Sequence, residues 1–154
     1  MIAGLVIRDA FEADLAAIAS LYESSGVDAP GAHDATALAA SWQRLRREAP
    51  TARVLLAEEG GRPVGTLTCF VLPLLNHGGT PAALVEGVAV DPAAQGRGIG
   101  RALMDAAMAI AREAGCYKLA LSSNDKRREA HAFYERLGYA RHGVSFVAFV
   151  EDLA

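Results

Sequence analysis

Residues Val88 to Met104 read VAVDPAAQGRGIGRALM. A short apolar run ends at an Asp-Pro break, three glycines follow close together, and an amphipathic helix pattern begins. The order strand, glycine loop, helix decides how the rest of the chain is read. The first N–H groups of a helix lack intrahelical partners and the macrodipole is positive there, so a glycine loop at that point suits an anion such as a phosphate. Three loop patterns compete. The dinucleotide pattern G-x-G-x-x-G fails in both registers, because counting from Gly96 ends on Arg101 and counting from Gly98 ends on Leu103. The nucleotide P-loop fails too, since no Lys follows any of these glycines. What remains is Q-x-x-G-x-G, filled by Gln95, Gly98 and Gly100. Against it stands a tight strand-to-helix turn with no ligand, and the motif alone leaves the two level.

Composition narrows the classes. A chain of 154 residues with 52% hydrophobic and 21% charged residues fits one globular domain with a packed core, here taken as residues 1–154. The net charge of -3 and a pI near 5.8 argue against a nucleic-acid surface, the one dense basic run being Lys126-Arg127-Arg128. Cys69 and Cys116 have neither disulfide-framework nor zinc-site spacing, which fits a reducing compartment. The opening MIAGLVIRDAFEADL turns acidic too early for a signal peptide, and no apolar run reaches the roughly 18 residues of a membrane span. A cytoplasmic protein without a membrane partner is expected.

Along the chain, strands and helices alternate. Leu5 to Arg8 reads as a strand, and Glu12 to Ser24 carries Leu15, Ile18, Ala19, Leu21 and Tyr22 at helical spacing, capped at Asp9 or a neighbour. SSGVDAPGAHDA is a loop between two helices and a candidate lid; Thr36 to Glu48 is the second helix. Ala52 to Glu58 and Pro63 to Leu74 form a hairpin turned by Glu59-Gly60-Gly61-Arg62, and Ala82 to Val90 is the strand before the glycine loop. Ile99, Leu103, Ala107, Ile110 and Ala114 then line one helix face that ends at Gly115. Lys118 to Leu121 is a short buried strand, Arg127 to Leu137 a helix stopped by Gly138, and Val144 to Val150 a last strand. The order is β-α-α-β-β-β-α-β-α-β, an α/β (α+β) arrangement of one mixed sheet with helices on its faces.

Four ordered segments between Ala82 and Phe149 make this pattern specific. LVEGVAVDP, QGRGIGRALM, GCYKLALSSN and AHAFYERLGY resemble, in turn, the fourth strand, the pyrophosphate loop and its helix, the fifth strand, and the last helix of the GNAT N-acetyltransferase family. The N-terminal half matches only in pattern. The resemblance implies a mixed, mostly antiparallel sheet of six to seven strands with four helices. It also implies acetyl-CoA as cofactor and transfer of its acetyl group to an amine. Within the family, SSNDKRREAHAFYERLGY is most similar to the aminoalkylphosphonate N-acetyltransferases, and GCYK is shared with glucosamine-phosphate acetyltransferases.

Carried over residue by residue, the resemblance gives backbone groups of Val88, Ala89 and Val90 to the amide arm of pantetheine. It gives Gln95, Gly96, Arg97, Gly98, Gly100 and Arg101 to the pyrophosphate. Tyr134 is expected to donate to the departing sulfur; the other reading of it is a core aromatic at a helix end. Proton transfer from a phenol near ~10 to a thiolate near ~8.5 is uphill by about 2 kcal/mol, so hydrogen-bond stabilisation of the thiolate comes first. On the acceptor side, freeing an ammonium of pKa ~10.4 at pH 7 costs about 4.6 kcal/mol and requires a proton acceptor. Glu86 is the candidate general base, placed two residues before Val88 on one strand face; the competing reading is an edge-strand charge or a buried partner of an Arg. Asn124 either caps the next helix or bonds the cofactor, and His131 is read as a helix-surface residue. One departure stands out: Arg127 lies seven residues before Tyr134, where many members have Asn. The basic run beginning at Lys126 is a candidate for the ribose phosphate or an anionic acceptor.

These residues favour an N-acetyltransferase acting by direct attack in a ternary complex on a small-molecule amine, with no metal. Two alternatives are a protein lysine or N-terminal acetyltransferase and a catalytically silent acyl-CoA-binding module. Family analogy adds a possible homodimer formed by strand exchange or sheet pairing.

Overall fold

A computed structural model describes residues 2–150. They fall into two compact units, 2–121 and 122–150. In the first, β1 (Leu5–Asp9), β2 (Arg53–Glu59), β3 (Arg62–Leu72), β4 (Ala82–Val90) and β5 (Leu119–Ala120) form one sheet in the order β1-β2-β3-β4-β5. Each neighbouring pair among the first four strands is antiparallel, and β5 runs parallel to β4. Three helices belong to this unit: α1 (Leu15–Ser24), α2 (Ala35–Glu48) and α3 (Ile99–Glu113).

The two sheet faces are covered differently. Ala89 of β4 clusters with Ile18 and Leu21 of α1 and Val54 and Leu56 of β2, with Trp42 and Leu45 of α2 packed against them. On the other face, Ile99, Leu103, Met104, Ala107, Ile110 and Ala111 make the buried stripe of α3. Gly65 lets that helix approach closely: a Cβ there would lie 3.0 Å from Leu103 and 3.1 Å from Ile99. Ala114, expected on this stripe, is instead the exposed C-cap.

Local chemistry explains several boundaries. Asp34 starts α2 by accepting from the Ala37 N–H at 2.9 Å. Asp9 does not cap the first helix; its carboxylate takes both arms of Arg53, at 2.8 and 2.7 Å. Asp14 stands at the N-cap position without a side-chain bond into α1; its carboxylate accepts from the Phe11 N–H at 2.7 Å across the preceding three-ten turn and is gripped by Arg8, whose guanidinium also reaches Glu58 at 2.6 Å.

The second unit contains α4 (Arg128–Arg136), ended by Gly138 in the left-handed region with the Tyr139 N–H donating to the Tyr134 carbonyl at 3.0 Å. The strand count is corrected here: five strands are present among the described residues rather than six or seven, and 144–150 forms none. Val144, Phe146, Val147, Phe149 and Val150 are all exposed, so the stretch has neither a ladder partner nor a buried face to fix it as a strand. The strand expected at Lys118 to Leu121 shrinks to two half-buried residues. Among the described residues, no helix is long and apolar enough to cross a membrane.

Candidate active site

The site is built on β4. Residues Ala83 and Leu84 pair with β5, and there the pairing stops. From Val85 to Val90 the edge of β4 away from β3 therefore has no ladder partner among the described residues, which leaves that edge's outward main-chain groups without a strand to pair with. The Ala89 side chain is buried in the core and its main chain pairs with Thr66 of β3.

A bulge reshapes the same strand. Thr66 pairs with Ala89 and Thr68 with Glu86, so Gly87 and Val88 together oppose Leu67. Gly87 takes φ 62° to make this turn. Paired residues share a sheet face, so Glu86 and Ala89 both lie on the face of Thr66 and Thr68, covered by α1. This corrects the expectation that Glu86 shares a face with Val88, since simple alternation does not hold across a bulge. Glu86 is exposed and is not the buried partner of an arginine.

After β4 the chain makes a three-ten turn, Pro92–Ala94, capped by Asp91, which accepts from the Ala93 N–H at 2.9 Å and is paired with Arg62. Gln95 is tied back to the strand, its amide donating to the Val90 carbonyl at 3.4 Å. Gly96 and Gly98 have φ of 75° and 84°, and Gly98 is the N-cap of α3 with no side chain to satisfy the free N–H groups of the first turn. A Cβ on Gly98 would also press on the Ile2 side chain at 3.3 Å. Gly100 is different: it lies inside the first turn of α3, so its contribution is the missing side chain, not a special conformation. Arg97 is ion-paired with Glu59, whereas Arg101 projects into solvent from that turn. The loop is thus an exposed set of backbone donors at a helix N-terminus, the chemistry a pyrophosphate requires.

Across the sheet face from this loop, Tyr22 of α1 packs its phenol against Gly87; a Cβ there would lie 3.1 Å from the hydroxyl. Burial pushes the Tyr22 phenol up, and the Thr68 hydroxyl bonded to it opposes that shift. The His33 ring tilts against Tyr22 at 5.9 Å between centroids, and its Nε2 lies 2.9 Å from Asp28. Tyr22, Thr68, Asp28 and His33 were not singled out from the sequence as site residues; the signal for their location was Gly87 inside a strand, which marks a bulge or a close approach.

In the second unit, Tyr134 is half-buried on α4, with Phe133 and Tyr139 rings at 5.1 and 6.1 Å. Burial raises its phenol above the ordinary value, and Arg127 pulls the other way. Asn124 makes a local turn: its side-chain oxygen accepts from the Lys126 N–H at 2.9 Å and its carbonyl takes the Arg127 N–H at 2.9 Å and the His131 ring at 2.9 Å. Lys126, Arg127 and Arg128 are exposed.

Comparison with known proteins agrees with this architecture. Glucosamine 6-phosphate N-acetyltransferase of Trypanosoma brucei brucei is 36% identical over 97 residues, which are 63% of this chain and 64% of that protein. Aminoalkylphosphonate N-acetyltransferase of Salmonella typhimurium is 35% identical over 97 residues, 63% of this chain and 62% of that protein. The aligned region thus spans a little under two thirds of both curated relatives. A solved structure from Agrobacterium tumefaciens superposes with a TM-score of 0.85 at 30% identity, covering 94% of this chain and 99% of that one. The sequence description of the Acetyltransferase (GNAT) family matches residues 16–139, which takes in the β4 bulge, the glycine loop and Tyr134, and the chain belongs to that family.

Proposed function

We propose that this chain is a single-domain, acetyl-CoA-dependent N-acetyltransferase that acts on a small-molecule primary amine by direct attack in a ternary complex. The observation that carries it is the unpaired edge of β4 running straight into the left-handed Gly96–Gly98 loop, inside the family match. The activities that name the two relatives, on an amino sugar phosphate and on aminoalkylphosphonates, support a small amine. The family match from 16 to 139 crosses both compact units and supports one functional domain.

Acetyl-CoA, when bound, supplies an activated acetyl thioester. In this reading the backbone of Val88, Ala89 and Val90 holds its pantetheine arm. The N–H groups from Gly96 to Arg101 hold the pyrophosphate, with Gln95 fixing the loop and Arg97 and Arg101 adding positive charge. Asn124 contributes through its side-chain N–H groups. Tyr134 keeps its phenolic proton because burial disfavours the phenolate, and donates from that hydroxyl toward the leaving sulfur. Glu86 serves deprotonation of the amine on the α1 face; a carboxylate is a weak base for an ammonium, so the proton leaves through a water relay or a second group.

The deciding experiment is a coenzyme-A-release screen over diverse primary amines, with acetyl-CoA binding followed by calorimetry. Amine-dependent release by the unaltered protein is expected. Absence of acetyl-CoA binding would overturn the whole assignment.

A homodimer belongs to the same proposal. Phe146 is 94% exposed within an apolar stretch that also exposes Val144, Val147, Phe149 and Val150, a surface suited to a second copy of the chain. Light scattering after gel filtration should give twice the chain mass, falling toward the single-chain mass for Phe146→Ser; a monomer at all concentrations removes this part.

A further inference from the structure

If Glu86 marks the acceptor side, a proton acceptor is to be sought near α1, and the loop that leaves α1 carries His33 against Tyr22. His33 closes the loop between α1 and α2, with side-chain exposure of 19%, and its Nε2 lies 2.9 Å from the Asp28 carboxylate. When the ring is neutral, that contact requires the Nε2–H to donate to Asp28, which leaves Nδ1 as the nitrogen with an available lone pair. The same carboxylate then steadies the imidazolium formed by protonation, which is the way an orienting acid acts on a histidine base. Tyr22 sets the position of this pair: its ring packs on His33, and its hydroxyl touches the bulge at Gly87, one residue from Glu86. Its main-chain carbonyl takes the Val27 and Asp28 N–H groups at 2.9 and 3.1 Å, which ties the start of the loop to α1.

We infer that His33, oriented by Asp28 and placed by Tyr22, is the proton acceptor for the incoming amine, with Glu86 as the charge that attracts the ammonium. This rests on the acetyltransferase proposal above. In the step, R–NH3+ gives one proton to Nδ1, leaving a free amine and an imidazolium, which returns the proton to water. No oxidant or second reactant is needed. An imidazole is a stronger base than a carboxylate, and so the better chemical match for this transfer. The titratable groups against the ring are Asp28 on its own loop and Tyr22 on α1; the Asp34 carboxylate accepts from the Ala37 N–H to cap α2.

The test has two arms on the full chain. In 15N-histidine NMR without any ligand, neutral His33 should carry its proton on Nε2; the Nδ1–H tautomer overturns the inference. In pH-resolved kinetics with acetyl-CoA and the best amine of the screen, His33→Gln should lower kcat/KM about 10²-fold and remove the acidic limb of the profile. Acetyl-CoA affinity should stay within twofold, and free imidazole should restore rate to His33→Ala, which a purely structural histidine would not permit. Asp28→Asn should give a smaller loss with a displaced acidic limb. Release by the unaltered protein that His33→Gln leaves within twofold at every pH overturns this inference alone. No amine-dependent release by the unaltered protein overturns the acetyltransferase proposal, and this with it.

Discussion

Tyr134 shows how one environment has two effects on a donor. Burial raises the phenol, so the hydroxyl stays protonated at neutral pH and above, as a hydrogen-bond donor must. The same shift makes complete transfer to a thiolate more uphill than the ~2 kcal/mol separating the two groups in water. Donation without early proton release is therefore the role that fits, and Tyr134→Phe should lower kcat by about 10²-fold while acetyl-CoA affinity changes less than threefold. Single-turnover kinetics beside calorimetry would separate the two quantities, and an unaltered kcat would remove Tyr134 from the mechanism. The motif around Tyr134 nominates it from the sequence. Tyr22 is not nominated that way, because it meets Gly87 only through a bulge on β4, a strand distant in the chain, and no local pattern encodes that meeting; His33 in turn is found only by its contact with Tyr22.

At the scale of elements, β4 and α3 were the most legible parts. An apolar run cut by Asp91-Pro92 has one natural end, and Ala82–Val90 is the strand observed. The periodic stripe of α3 was equally plain, although Met104 and Ala111 also belong to it. What alternation could not supply was the bulge, which moves Glu86 off the face of Val88, or the failure of 144–150 to pair, since a continuous apolar run has no preferred face. The glycine loop yields a sharp prediction. Gly98→Val meets both a φ of 84°, worth about 1–2 kcal/mol of strain for a residue with a Cβ, and the Ile2 side chain. It should weaken acetyl-CoA at least tenfold in calorimetry with only a few degrees lost from Tm. Gly87→Ala acts elsewhere: its Cβ would crowd the Tyr22 hydroxyl at 3.1 Å, so it should depress turnover while leaving acetyl-CoA affinity nearly unchanged. If both variants moved the same quantity, the division between a cofactor loop and an acceptor face would be wrong.

At the scale of the whole molecule, acid stability follows from carboxylates held in place by arginines. Asp14 is held below the ordinary carboxylate range first by its hydrogen bond from Arg8, and Asp9 first by that from Arg53. The two pairs are unequal in weight. Asp14 and Arg8 side chains are 14% and 27% exposed, whereas Asp9 and Arg53 are 50% and 41% exposed and more strongly screened. A carboxyl whose folded value is depressed contributes stability that is present above its unfolded value, near ~3.9, and is lost as pH falls through the folded value. Tm should therefore be flat from pH 7 to about 5 and drop below about pH 4. Asp14→Asn should cost about 1–3 kcal/mol at pH 7, because Arg8 loses one of its two carboxylate partners and the Phe11 N–H a charged acceptor. For a chain of this size that is roughly 2–12 °C. The variant should also show a shallower acid limb than the unaltered protein, since one depressed carboxyl is gone. Asp9→Asn should lose less at pH 7, and a larger loss there than for Asp14→Asn would mean that β1 is anchored to the sheet mainly by the exposed pair.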